Sequence, residues 1–392
     1  MKLPERLVLP PEIVEIAATL EAAGHETWCV GGAVRDGILG SAREDVDLAT
    51  AATPDQVQAL FQRTVPVGLR FGTVGVLDRH RKLHEVTTFR QDVSTDGRHA
   101  VVAFGASLDD DLARRDFTIN AIAYHPSRHE WRDPFDGAAD LDRRVIRAVG
   151  TPQDRFQEDY LRILRAIRFA CRLGFTIDPA TWAAAIEVAG GLGRLSAERV
   201  RDEWFRSLES ARSLPTLVQL WREVGAAARW LEGLAATYPM VSADPAPRDP
   251  VLLTVILTER PDGVLAQLKA SRAEIDRAFR IGAGPAAPAS VDPAAVRRWL
   301  SATGPAADDL LRCHALVTGA DAPWATVVAG IRARGEPVSR GDLAVTGVDL
   351  LAAGVAAGPT LGRTLADLLE WVLDHPEDNR REVLLARARE AR

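Results

Sequence analysis

Apolar and polar positions follow two different rhythms along this chain, and the change falls near Gly150. Before it, short β-branched runs alternate with helical stretches, the mixture expected of an α/β unit. The pattern predicts a helix over Glu12–Ala23, a strand over Thr27–Val30 ending in Gly31-Gly32, and a helix over Val34–Leu39. A strand around Val46–Ala49 follows. Thr53-Pro54 then reads as a helix start, with Thr as N-cap and Pro at the first helical position. Val65–Val67, Thr73–Leu77 and Leu83–Phe89 are β-rich, whereas Gln91–Ala100 is polar and reads as a loop. After Gly150 strand signals nearly vanish and apolar residues recur at i, i+3 and i+4. Tyr160–Leu173 is the clearest such helix, closed by Gly174. Breaks fall near Gly190–Gly193, Val241–Pro250, Gly282–Pro293 and Gly335–Gly341, with Gly282–Pro288 the best linker. No internal repeat is visible, so the expectation is an α/β head followed by helices.

Composition narrows the class. A chain of 392 residues, 47% apolar and 26% charged, has the make-up of a globular protein of several domains. Cys29, Cys171 and Cys313 are far apart and form neither a metal-ligand spacing nor a disulfide framework, so a reducing, cytoplasmic setting is expected. The N-terminal stretch lacks a signal-peptide pattern, and no window approaches the ~18 apolar residues of a membrane span, so no membrane partner is expected. The net charge of −6 counts against a nucleic-acid partner, although Arg outnumbers Lys and suits bidentate phosphate contacts.

The strongest chemical signal is GGAVRD at Gly31–Asp36 followed by EDVDLAT at Glu44–Thr50. Side chains alternate along a strand, so Asp45 and Asp47 point the same way. Two carboxylates held on one face suit hard divalent cations such as Mg²⁺, which bridge triphosphate oxygens and neutralise developing charge. The Gly31-Gly32 turn ahead of a helix exposes backbone N–H groups to phosphates, and Arg35 adds a guanidinium one turn later. Either motif alone is common on turns and solvated strand edges, and their spacing carries the signal.

With the motifs downstream of them, these residues resemble the signature of polymerase-β-type nucleotidyltransferases. More narrowly, the chain resembles the family of class II tRNA nucleotidyltransferases (CCA-adding) and bacterial poly(A) polymerases. LHEVTTFR at Leu83–Arg90, DLARRDFTINAIAY at Asp111–Tyr124 and DPFDGAADL at Asp133–Leu141 are similar to further motifs of the family, in the expected order. EDYLRILRAIRFACRLGF at Glu158–Phe175 resembles the nucleotide-selecting motif, and LSAERVRDEWFRSL at Leu195–Leu208 a helix-stabilising one. The resemblance covers about the first 210 residues. It implies an α+β fold: a polymerase-β-like head with a small mixed sheet over 1–147, a helical neck over 148–215, a body over 216–315 and a tRNA-binding tail over 316–392. It implies that Asp45 and Asp47 are the catalytic metal carboxylates. Gly31, Gly32, Arg35 and Arg115 then meet the triphosphate, with Arg114 a near alternative. Asp116 and Asn120 touch ribose or orient the arginines. Glu85, on a β-run, is a possible third carboxylate, against its reading as a solvated strand residue.

Hydrogen-bond chemistry suggests how such a chain selects C and A without a template. Asp159, Arg162, Arg165 and Arg168 recur every third residue, so the first pair shares a helix face one turn apart. Cytosine and adenine both present an exocyclic amine beside a ring-nitrogen acceptor. A carboxylate accepts from the amine and a guanidinium donates to the ring nitrogen, whereas guanine and uracil mismatch both groups. The resemblance gives this role to Asp159 and Arg162, and places Arg165 and Arg168 near phosphate or ribose. The bland alternative is a salt-bridged polar helix face.

The leading expectation is addition of C, C and A to tRNA 3′ ends from CTP and ATP. CC-only, A-only and poly(A) activities share the chemistry, and a non-catalytic RNA-binding protein is the reading from another class. The segment between Arg90 and Arg114 is long enough for a switching loop, which disfavours CC-only. The acidic balance lacks the basic C-terminus expected of a poly(A) polymerase. The C-terminal half has only His314 and His375 and no His-Asp pair, which disfavours an appended phosphohydrolase. Arg272–Arg280 and Arg380–Arg392 are possible RNA-tracking arms or solvated faces. Trp299, Trp324 and Trp371 are expected in the core.

Overall fold

The computed structural model describes residues 3–41, 45–95, 100–234 and 248–390. Glu44, residues 96–99, residues 235–247 with most of the Val241–Pro250 break, and the last two residues, 391 and 392, lie outside them. The chain forms two compact units, Met1–Leu231 and Glu232–Arg392.

The first unit opens with helix α1 (Pro11–Ala22), which buries Ile13, Ile16, Ala17 and Leu20 at helical spacing. It leads into an interior strand of a seven-stranded mixed sheet. Strands β1 (Thr27–Val30), β2 (Asp47–Thr50), β3 (Thr64–Gly68), β4 (Thr73–Leu77) and β5 (Leu83–Thr88) belong to it, with β8 (Ala123–His125) and β9 (Glu130–Arg132) at one side. Their order is β3-β4-β5-β2-β1-β8-β9. Only β2 and β5 run parallel. All of β1 is buried, as an interior strand must be. One sheet face packs on a core that includes Trp28, Val30, Ala49, Phe89, Leu112 and Val149. Helices α2 (Gly32–Ile38) and α3 (Pro54–Leu60) connect the early strands, α3 starting at a Thr53/Gln56 capping box.

One expectation fails against this architecture. Gln91–Thr95 is not loop: β6 (Arg90–Thr95) pairs antiparallel with β7 (Ala100–Phe104) in a separate ribbon. A strand paired only with one neighbour in a separate ribbon needs no apolar alternation, so Gln91–Thr95 reads as polar. The boundary between the units falls at Leu231, and the Gly282–Pro288 linker lies within the second unit. It connects two helices of the second unit, tied by the Trp299 indole N–H to the Pro285 carbonyl at 2.8 Å.

Beyond the sheet the first unit turns helical, except for the short parallel pairing of β10 (Val145–Ile146) with β11 (Thr176–Ile177). Helices α4 (Leu108–Ala113), α5 (Gly137–Arg143), α6 (Pro152–Glu158), α7 (Leu161–Leu173), α8 (Pro179–Glu187), α9 (Ala197–Ser210) and α10 (Leu214–Glu223) follow. Gly174 ends α7 at φ 71°, a left-handed cap. Asp133 holds the start of α5 by accepting from the Gly137 and Ala138 N–H groups at 2.7 and 2.9 Å. The rings of Trp204 and Trp221, both fully buried, meet edge to face at 5.0 Å and join α9 to α10.

The described residues of the second unit form helices and 3₁₀ turns, with one isolated antiparallel bridge between Leu234 and Thr258. Trp299 and Trp324 are buried, and Trp371 packs against a core that includes Leu350, Leu368, Val372 and Leu384. Several arginines of the possible RNA-tracking arms are engaged inside the unit. Arg277 bonds Asp309 and Asp249, Arg381 bonds Asp349, and Arg387 lies 3.4 Å over Trp371. No described helix is long and apolar enough to cross a membrane.

Candidate active site

Strand register explains why distant residues meet. Val30 pairs with Asp47, so the chain leaving β1 at Gly31 passes beside the carboxylate that opens β2. Gly31 has φ 78°, and a Cβ there would lie 3.3 Å from Arg115 Nη1 and 3.5 Å from Asp47 Oδ2. The turn therefore requires glycine for its backbone and its crowding. Leu48 pairs with Val86 in the parallel ladder, which sets Glu85 beside Asp47. Asp45 lies just before the strand. Exposure still alternates there: Asp45 and Asp47 are exposed and Val46 and Leu48 buried, as two carboxylates on one face demand.

Every predicted nucleotide-contacting residue, from Gly31 to Arg168, lines a single cavity of about 580 Å³. Asp47 and Glu85 line it too, whereas Asp45 does not. Nine arginines and five carboxylates contribute to its wall. The cavity is thus cationic over most of its surface and anionic near β2 and β5.

The arginines are held by buried partners. Asp116 is the hub: its Oδ2 accepts from Arg165 Nε at 2.8 Å, and its Oδ1 from Asn120 Nδ2 at 3.0 Å and the Phe117 N–H at 2.9 Å. Burial alone would raise the Asp116 pKa, but Arg165, Asn120 and Arg162 together hold it at about 2. Arg35 is fully buried, donating to Asn120 Oδ1 at 2.6 Å and to Asp36 at 2.8 Å. Arg172 bonds the other Asp36 oxygen at 2.8 Å. Arg168 Nε meets Glu203 at 2.6 Å, and its guanidinium covers the Phe169 ring at 4.3 Å. Arg115 donates to Asp111 at 3.0 Å, while its buried Nε finds no partner among the described residues, a donor in place for an anionic ligand.

Asp159 and Arg162 line the cavity but not by the predicted route. Asp159 is not on a helix with Arg162: its backbone is extended, at φ −155° and ψ 105°, between α6 and α7. Its Oδ1 accepts from the Leu161 N–H at 3.0 Å, an Asx turn just ahead of α7, whose N-cap is Tyr160. Its Oδ2 accepts from Arg199 at 2.6 Å. Arg162 bonds Glu158 at 2.6 Å and the Arg114 carbonyl at 3.1 Å, tying α7 to the end of α4. Arg199 and Glu203, one turn apart on α9, were not singled out in the sequence; their place in the helix-stabilising motif was the available signal.

At the anionic end, the Asp47 carboxyl opens onto the cavity yet sits deep among protein atoms. It is pushed up to about 6, first by that burial and then by the charges of Glu85 and Asp45, with Arg115 opposing. The repulsion is the environment a divalent cation relieves. Among the described residues no three His, Cys, Asp or Glu side chains form a ready metal cage. An ion using one or two carboxylates, with phosphate oxygens and waters completing its shell, needs no such cage. The residues present therefore fit a hard divalent metal.

A sheet that aims carboxylates and a glycine turn into an arginine-lined cavity defines a nucleotidyltransferase. The family described as poly A polymerase head domain matches residues 27–147, and a probable RNA and SrmB-binding site of polymerase A matches residues 174–237. A CCA-adding enzyme from Latilactobacillus sakei is 36% identical over 96% of this chain and 97% of its own length. One from Lactiplantibacillus plantarum is 48% identical over 195 residues, 49% of this chain, and the chain spans about half of that relative, 47%. The crystal structure of the Bacillus stearothermophilus CCA-adding enzyme in complex with CTP superimposes with a TM-score of 0.81 at 33% identity, covering 98% of both chains. The chain belongs to the CCA-adding enzyme family.

Proposed function

We propose that this chain adds C and A nucleotides to the 3′ ends of tRNA, using CTP and ATP and Mg²⁺, in the cytoplasm. The observation that carries the reading is the shared cavity: Gly31, Asp47, Arg115, Asp159 and Arg162, from four separate stretches of sequence, line one continuous space. In this reading Asp45 and Asp47 hold Mg²⁺, which would polarise the transferred phosphoryl group and neutralise developing charge when bound. The Gly31–Gly32 backbone and Arg115 bind triphosphate oxygens, and Asp116 and Asn120 hold Arg165 and Arg35 in place. Asp159 accepts from the amine of cytosine or adenine while Arg162 donates to the ring nitrogen. A solved relative that binds CTP, at 33% identity, supports the substrate class. The division into head 1–147, neck 148–215, body 216–315 and tail 316–392 belongs to the same proposal.

Three tRNAs, one lacking the CCA end, one ending after its first C and one ending after CC, each incubated with Mg²⁺ and single nucleotides, test the reading. CTP should extend the first two, ATP should extend the third once, and neither GTP nor UTP should extend any. Runs of A would point to poly(A) synthesis, arrest after CC to a CC-only enzyme, and unchanged tRNA throughout would overturn the enzyme reading.

The Asp116 hub makes a separate prediction. With its folded pKa near 2 against 3.8 unfolded, the Asp116 charge contributes stability above about pH 4 that is lost as pH falls towards 2. The stability gap between the wild type and Asp116→Asn should therefore be about 2–3 kcal/mol at neutral pH and shrink below pH 4. Urea unfolding across pH 2.5–7 measures it; a gap independent of pH would remove the Asp116 ion pair from the account.

A further inference from the structure

A second cavity, of about 380 Å³, opens beside the first and is lined by Val67, Gly68, Phe71, Thr73, Glu85, Arg90 and Arg114. Thr73, Glu85, Arg90 and Arg114 line both cavities. Glu85 thus stands on the shared wall, while Gly31, Asp47 and Arg115 line only the first. The second cavity differs in chemistry from its neighbour. It combines an apolar side, Val67 and Phe71, with two guanidinium groups, and exposed Leu83 extends the apolar surface across β5. Gly75 keeps that surface flat, because a Cβ there would lie 2.6 Å from Leu83 and 2.8 Å from Val67. Phe71 is placed by its neighbours: its carbonyl accepts from Arg90 Nη1, and Gly72, at φ 81°, leaves room for the Phe104 ring.

In-line phosphoryl transfer needs the attacking hydroxyl on the side of the phosphorus opposite the leaving pyrophosphate. The triphosphate side is the arginine-lined first cavity, so the attacking group must arrive across the carboxylates. We propose that the second cavity binds the 3′-terminal nucleotide of the RNA acceptor, with the base against Phe71 and Val67 and its phosphodiester near Arg90 and Arg114. Its apolar and cationic faces match a base and a backbone phosphate, the combination that binds single-stranded nucleic acid. Its position behind Glu85 sets the terminal hydroxyl towards the carboxylate end of the first cavity. The inference rests on the nucleotidyltransferase reading above.

The test compares the wild type with Phe71→Ala, Phe71→Trp and Val67→Glu on a tRNA transcript ending in CC, with ATP. Val67 is 45% exposed on a sheet edge strand, so its substitution leaves the fold intact even if Phe71→Ala does not. Phe71→Ala should raise the KM for the transcript roughly 10-fold or more, as loss of one base–aromatic stack implies. Phe71→Trp should restore it, Val67→Glu should raise it similarly, and the KM for ATP should stay within about twofold throughout. A shift in the ATP KM with the transcript KM unchanged, or no shift in either, overturns the inference. If the wild type itself extends no transcript, the nucleotidyltransferase reading fails; if it does and Val67→Glu is silent, only the acceptor site fails.

Discussion

Replacing Asp47 by Ala is expected to slow nucleotidyl transfer on the order of 10³-fold without weakening the fold. Asp47 opens β2 with its side chain in the cavity, so its loss removes a carboxylate from the proposed metal site and no packed apolar group. The carboxyl is already pushed towards its neutral form by burial and by the charges of Glu85 and Asp45. Ala relieves that repulsion, so thermal stability should hold or rise. An ordinary destabilising substitution lowers rate and stability together, and the combination of lost chemistry with retained stability therefore marks a functional carboxylate. Single-turnover incorporation of labelled CMP, measured beside thermal unfolding, separates the two. Substantial turnover by Asp47→Ala would show that the metal lies elsewhere. Glu85→Gln, on the neighbouring strand, should fall between Asp47→Ala and the wild type.

The features legible in the sequence are local ones. Gly31-Gly32 after a β-run, alternation across Asp45–Leu48 and the Thr53-Pro54 start depend on neighbours in sequence, and the structure has them nearly residue for residue. Partners supplied by register were legible only as alternatives, as with Glu85, offered as a third carboxylate against its reading as a solvated strand residue. Glu85 reaches Asp47 only because β2 and β5 pair in parallel across a gap that includes α3, β3 and β4. The β6–β7 ribbon escaped because strand detection relies on one buried face, and a strand pair outside the main sheet need not show one. Glu203 looked like one more charge on an amphipathic helix. It is 2% exposed and bonded to Arg168, which only the packing of α9 on α7 could reveal. The i, i+3 argument at Asp159 failed for a local reason with a local sign: Asp ahead of Tyr160-Leu161 prefers an Asx turn before α7 to continuing α6.

That break changes what Asp159→Ala should do. On a continuous helix the substitution would remove one surface carboxylate. In the observed geometry it removes the turn bond to Leu161, the Arg199 ion pair and the proposed acceptor for the base amine. Loss of that one turn hydrogen bond costs about 1 kcal/mol, a modest fall in stability. The larger effect should be on choice of nucleotide. Without the carboxylate, cytosine and adenine lose the acceptor for their amine, and guanine and uracil lose the mismatched acceptor that excluded them. Discrimination of CTP against UTP should therefore fall on the order of 10²-fold, the scale implied by the roughly 1–3 kcal/mol cost of one buried unsatisfied polar group. Asp47 and Arg115 are untouched, so the Mg²⁺ dependence of the remaining activity should match the wild type. Ser213→Ala, which removes the side-chain bond at the start of α10 and lies outside the cavity lining, controls for a change in helix ends alone. Competition between CTP and UTP on a tRNA lacking its CCA end reads the ratio directly. An Asp159→Ala variant that stays as selective as the wild type, however slow, would move base recognition away from this carboxylate.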